Sequence, residues 1–224
     1  MYTYLPLKQA YRGLIIARNS MAVLNTFERI RALPFAYQTL LGLYLCERML
    51  PNYDLFHQVT GFGDPAPLRG ALNALWDWSW QPTKVKVNVA RWQEKVDEVT
   101  PSEHGHDMLG VYPAMDACTA LSTLLQGLLD KESSYLVDVA KVSQASVAKF
   151  LELTEGAELS ADARQQLLRE HELTQYEIDV QQALVDYLET VAPTAALPTQ
   201  TMVQQMRAMV AEEGCSNIGV SLAD

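Results

Sequence analysis

Residues 110–130 read Gly110-Val111-Tyr112-Pro113-Ala114-Met115-Asp116-Ala117-Cys118-Thr119-Ala120-Leu121-Ser122-Thr123-Leu124-Leu125-Gln126-Gly127-Leu128-Leu129-Asp130. Val111, Met115, Cys118, Leu121, Leu125 and Leu128 recur every three or four positions, the spacing that lays an apolar stripe along one face of an α-helix. Tyr112, Asp116, Thr119, Thr123 and Gln126 keep the same period on another face and form a polar line. Ala114, Ala117 and Ala120 are small enough for a second helix to approach closely. Pro113 suits the first helical position, where its missing N–H is an orphan anyway. Asp116 then falls in the first turn, where the helix dipole favours an anion. The polar line is either the half-buried face of an ordinary helix or a wall facing a cleft; helix surfaces in general favour the first reading.

The helical period extends to both sides. Upstream, residues 35–50 predict a helix that is apolar nearly all round from Thr39 to Cys46, the pattern of a buried central element. Gly42 would weaken that helix, so a close helix crossing is expected there. The helix is expected to stop before Pro51, with Asn52 capping a separate short helix to Thr60. Residues 24–33, 66–79 and 87–99 predict further helices, with Trp76, Trp78 and Trp80 as packing anchors. Downstream, residues 132–155, 160–191 with a break near Glu172, and 199–213 complete the series. Met202, Met206, Met209 and Val210 read as core filling in the last helix. Val85-Lys86-Val87 is a candidate short extended stretch, and the tail from Cys215 is expected to be extended. The class is all-α: a compact bundle of roughly seven to nine helices without significant sheet. One domain is expected over 21–224. Residues 1–20 are basic and tyrosine-rich and lack a helical period, so they are expected to be an extension outside that domain, with Met21 as its natural opening.

With 49% hydrophobic and 20% charged residues, the chain is neither disordered in bulk nor membrane-like. No apolar run approaches the roughly 18 residues of a membrane span. Gly13-Leu14-Ile15-Ile16-Ala17 is too short and too close to Arg18 to read as a signal peptide. The net charge of −10 argues against nucleic acid or an anionic membrane as partner, because both need a basic footprint. Ten acidic residues between 151 and 190 face only Arg164 and Arg169, and read as a solvated helix face. Cys46, Cys118 and Cys215 are widely spaced and form no CxxC pair, which is cytoplasmic usage.

Candidate chemistry is sparse. Thr60-Gly61-Phe62-Gly63-Asp64 superficially resembles a phosphate loop but has no GxGxxG, no GKS or GKT and no strand before it. Glu103-His104-Gly105-His106-Asp107 places His104 and His106 among carboxylates, the weak beginning of a metal site. It has one Glu-x-x-His spacing where a di-iron bundle needs two on helices, so a solvated loop is the preferred reading. No cofactor signature is present. Glu47 is the sharpest oddity: it ends an apolar helix on a line with Leu40, Leu43 and Tyr44, so it needs a partner or an elevated pKa. Because such a charged pair needs partners, Glu47 or Arg48 is expected to meet the start of the central helix near Asp116.

Four blocks carry a family resemblance. They are Leu45-Cys46-Glu47-Arg48-Met49 with Pro51-Asn52-Tyr53, then Thr60-Gly61-Phe62-Gly63-Asp64, then Gly110 to Cys118, then Ser216-Asn217-Ile218-Gly219. In this order they resemble the YjaG-like family of bacterial proteins, a domain of unknown function, over about residues 21–222. The resemblance implies a compact all-helical fold in a bacterial cytoplasm and brings no activity, substrate or cofactor.

The first functional expectation is a helical protein that binds a protein partner, another copy of itself or a small ligand without catalysis. The second is an enzyme or small-molecule site assembled from the blocks, with Glu47, Arg48, Asn52, Tyr53, Asp64, Tyr112, Asp116 and Asn217 as its polar groups. Convergence of those side chains in one concave site would favour the second; dispersal would favour the first.

Overall fold

A computed structural model describes residues 25–192 and 196–221. The basic N-terminal stretch 1–20 and Met21 lie outside the described residues. Among the described residues nine α-helices follow one another: α1 (Thr26–Ala32), α2 (Phe35–Thr60), α3 (Ala66–Trp80), α4 (Val89–Val99), α5 (Val111–Asp130), α6 (Ser133–Thr154), α7 (Ala161–Glu170), α8 (Glu172–Val191) and α9 (Gln200–Glu213). A 3-10 turn spans Glu103–Gly105. No strand occurs among the described residues, and Val85–Val87 is irregular. No described helix is long and apolar enough to cross a membrane.

Several of the helices begin where the sequence supplies a side-chain acceptor, whereas α2, α3 and α5 start without one. Asn25 and Glu28 form a reciprocal capping box at α1. Asn88 caps α4, Ser160 caps α7, and His171 ends α7 while its ring caps α8. Gly61 and Gly214 close α2 and α9 in the left-handed conformation that glycine adopts without strain.

The centre is built on α2, α5 and α6, which pack against one another. Tyr37 through Cys46 are buried without interruption, as an all-round apolar helix must be. At Gly42 an added Cβ would sit 3.0 Å from Leu124 of α5 and 3.9 Å from Val139 of α6. The glycine therefore offsets its propensity cost by letting three helices meet. Ala114, Ala117 and Ala120 are buried and give α5 its close approaches.

Three expectations need correction. First, α2 does not end at Pro51: it runs through to Thr60, and Asn52 is an interior residue rather than a cap. Proline removes one ladder hydrogen bond, to the carbonyl of residue 47; burial of Met49, Leu50, Tyr53 and Phe56 on both sides outweighs that loss. Second, α5 starts at Val111, so Pro113 is its third residue and Asp116 lies beyond the first turn. Third, the tail is not extended. Ser216 N donates to Val220 O at 2.8 Å and Gly219 N to Ser216 O at 3.0 Å, closing a tight loop. That loop buries Ile218 in a small second core with Val147, Leu151 and Leu173.

Candidate functional site

The most concentrated chemistry lies where α2, α6, α8, α9 and the C-terminal loop meet. Arg48 projects from α2 with its side chain 0% exposed. Its Nη1 is 2.5 Å from Glu177 Oε2 on α8, and its Nη2 is 2.7 Å from Glu213 Oε1 on α9; both carboxylates are 1% exposed. Further donors surround the acids. Ser143 Oγ and Gln181 Nε2 each donate to Glu177 Oε1 at 2.7 Å. Tyr176 and Tyr44 hydroxyls donate to Glu213 at 2.9 and 3.4 Å. The loop completes the network: Asn52 Nδ2 donates to Asn217 Oδ1 at 2.9 Å, and Asn217 Nδ2 donates to the Ser143 carbonyl at 3.1 Å.

One guanidinium faces two carboxylates here, so one negative charge is in excess. Burial opposes ionisation of Arg48, but Glu177 and Glu213 outweigh it and hold the guanidinium charged. Burial also raises the pKa of Glu213, against the pull of Arg48 and the Tyr176 hydroxyl, so the excess falls on Glu213. A carboxylate whose folded pKa is raised stabilises the fold below its unfolded value, near 4.3, and that contribution is lost as pH rises through the folded value. Around it stand Arg48 and Tyr44 from α2, Tyr176 and Glu177 from α8, and Cys215 from the loop. We expect Glu213→Gln to gain stability relative to the wild type as pH is raised from about 4.3 to 7. Urea unfolding of both proteins across that range checks it; parallel pH profiles would refute the assignment.

The remaining predicted groups stand elsewhere. Glu47, its side chain 13% exposed, pairs with Arg69 and accepts from Trp76 Nε1 at 3.0 Å, both on α3. Neither Glu47 nor Arg48 meets Asp116, contrary to expectation: Glu47 turns to α3, and Arg48, about 100° further round α2, turns to α8 and α9. Asp116 has its pKa raised by burial, partly offset by the neighbouring Ser146 hydroxyl and Lys149 ammonium. Lys149 also lies 4.6 Å over the Tyr112 ring. Tyr53 donates to the Val99 carbonyl at 2.8 Å, and burial pushes its hydroxyl up to about 12. Asp64 is exposed in the loop after α2, where its side chain caps Ala66 N. His104 is exposed, whereas the His106 ring packs edge-on between Phe56 and Phe62 with centroids 4.9 Å from each. Among the described residues no group of three or more His, Cys, Asp or Glu is placed to hold a metal ion.

Of the eight predicted polar groups, Arg48, Asn52 and Asn217 converge. Glu177, Glu213, Tyr176, Ser143 and Gln181 were not anticipated. The acidic run 151–190 is not uniformly solvated, because Glu177 within it is 0% exposed. A signal existed: Glu177 sits on the stripe Leu173, Val180, Leu184 and Leu188, and Glu213 continues Met202, Met206 and Met209 in steps of four, three and four. An acid on an apolar stripe needs a buried cation, and Arg48 is the matching one.

The description "Protein of unknown function (DUF416)" belongs to the family model that matches residues 25–221. This chain belongs to the DUF416 family. It is 37% identical over 177 residues to the "Uncharacterized protein YjaG" of Escherichia coli (strain K12), covering 79% of this chain and 86% of that protein. The protein of the same name from Salmonella typhimurium is 34% identical over 178 residues, with the same coverage. A crystal structure of a DUF416 family protein from Shewanella baltica OS155 has a TM-score of 0.81 and 34% identity, covering 89% of this chain and 100% of that one. The family resemblance carried by the four sequence blocks is therefore correct, and so is the all-helical class. The family description names no activity.

Proposed function

We propose that this DUF416 protein is a binding protein of the bacterial cytoplasm that holds a protein partner or a small ligand without converting it. The observation that carries this reading is the internal commitment of the strongest chemistry: Arg48 pairs with both Glu177 and Glu213, and all three side chains are 0–1% exposed. Catalysis needs such groups beside a space that a substrate can enter. The two best-formed grooves, of about 320 and 240 Å³, are lined by other residues. Dispersal of Glu47, Tyr53, Asp64 and Asp116 among separate partners supports the same reading. Burial pushes the Cys118 thiol up to about 12, which keeps it a poor nucleophile at neutral pH. The three cysteines are free, in keeping with a reducing compartment. The net charge of −10 makes nucleic acid an unsuitable partner.

The test is a thermal-shift screen of metabolites and metal salts on protein purified without a histidine tag. A ligand that binds only the native state raises Tm by mass action. Each hit is then incubated with the protein and followed by NMR. Hits recovered unchanged are the expected result; conversion faster than in buffer overturns the non-catalytic reading.

A further inference from the structure

The C-terminal half of the polar line of α5, unexplained by the buried network, borders the larger groove. Thr119, Thr123 and Gln126 line it together with Gln93 and Asp97 of α4 and Tyr135 of α6, in a volume of about 320 Å³. Part of this lining is fixed by internal hydrogen bonds. Gln93 Nε2 donates to Gln126 Oε1 at 2.9 Å, and Gln126 Nε2 donates to Asp130 Oδ2 at 2.7 Å. Ser122 Oγ donates to Asp97 Oδ1 at 3.0 Å. These bonds hold two amides and one carboxylate in set orientations. They leave Gln93 Oε1 and Asp97 Oδ2 as acceptors with no donor among the described residues. The hydroxyls of Thr119, Thr123 and Tyr135 have no hydrogen-bond partner among the described residues either.

The chemistry of this surface selects its ligand. No lysine or arginine lines the groove, so an anion would meet Asp97 with no countercharge. A hard divalent cation needs several oxygen ligands, and one carboxylate is a poor start. The Cys118 thiol is held neutral by burial, so no thiolate is offered to a metal or an electrophile. What remains is two oriented acceptor oxygens, Gln93 Oε1 and Asp97 Oδ2, and three hydroxyls, beside the Tyr135 ring. Groups of this kind pair with a ligand that both donates and accepts at many positions. The volume is at the small end of ligand sites, which run from roughly 300 Å³ upward.

We propose that the groove between α4 and α5 binds a neutral polyhydroxy compound of monosaccharide or cyclitol size. This deepens, and rests on, the reading of the protein as a non-catalytic binder.

The probes are D-glucose, D-galactose, D-mannose and myo-inositol at about 20 mM, far below the molar range in which sugars act as excluded osmolytes. Binding is read by thermal shift and by saturation-transfer NMR on the full chain. Two variants accompany the wild type: the double Thr119→Val/Thr123→Val, which keeps shape and removes two hydroxyls, and Asp97→Asn. Thr119 and Asp97 are exposed, so both variants are expected to fold, with circular dichroism as the check. At least one probe is expected to bind the wild type, with affinity falling about tenfold or more in the double variant as two hydrogen bonds are lost. Absence of binding by all four probes, or binding unchanged in both variants, overturns the assignment. Conversion of a bound probe would overturn the non-catalytic reading while leaving the groove assignment intact. Absence of binding leaves the non-catalytic reading standing.

Discussion

Arg48→Met is expected to lower the free energy of unfolding by about 3–5 kcal/mol, the usual cost of breaking a buried ion pair from one side. The side chain volume is roughly kept, so the loss is electrostatic. Glu177 and Glu213 would remain together, 1% exposed, with no cation between them. Ser143, Gln181, Tyr44 and Tyr176 would still donate to them, but neutral donors do not replace the cation that both carboxylates face. The cost should therefore fall on the docking of α8, α9 and the C-terminal loop onto α2. Urea unfolding followed by circular dichroism measures it. The triple variant Arg48→Met/Glu177→Gln/Glu213→Gln should recover part of the loss, because neutral amides are far cheaper to bury than carboxylates. A single-variant cost under about 1 kcal/mol, typical of a surface pair, would show that water reaches the cluster.

Trp76→Ala is expected to cost a similar amount, about 3–5 kcal/mol, for a different reason. Trp76 is 0% exposed and is the largest fully buried side chain among the described residues. Its removal leaves a cavity between α3 and α2 that the backbone cannot fully close. The same change takes away the Nε1 donor of Glu47, leaving that half-buried carboxylate with Arg69 alone. Trp76→Phe separates the two effects: it keeps most of the apolar volume and removes only the donor, so it should cost markedly less than the alanine change. Equal losses for alanine and phenylalanine would place the main contribution in the hydrogen bond rather than in packing.

These two residues show how differently sequence speaks about burial and about pairing. Trp76 could be read as a packing anchor because it stands on the stripe Leu68, Leu72, Leu75. Glu47 could be read as needing a partner because it shares a line with Leu40, Leu43 and Tyr44. The partner itself was not legible: Arg69 and Trp76 lie more than twenty residues away on another helix. Asp116 was a false lead for the same reason. Its position suited a helix start, yet α5 begins earlier and the acid ends up half-buried near Lys149. Pro51 misled in the opposite direction. Proline is a strong local stop signal, but burial on both sides of it carried α2 to Thr60.

The candidate ligand site was half visible. The line Tyr112, Asp116, Thr119, Thr123 and Gln126 follows from the helical period alone, but which part of it faces a groove does not. Its lower half meets α4 and borders open space, whereas Tyr112 and Asp116 face α6 and Lys149.

By itself, the sequence determined the helices, their apolar faces and the family. These depend on periodicity and on neighbours within about four residues, where the chain carries its own information. Only the tertiary structure decided that Arg48 joins Glu177 and Glu213, that Asn52 reaches Asn217, and that Gln93 meets Gln126. Those pairings join residues 33 to 165 positions apart, and a side chain's period on one helix does not name the helix opposite it.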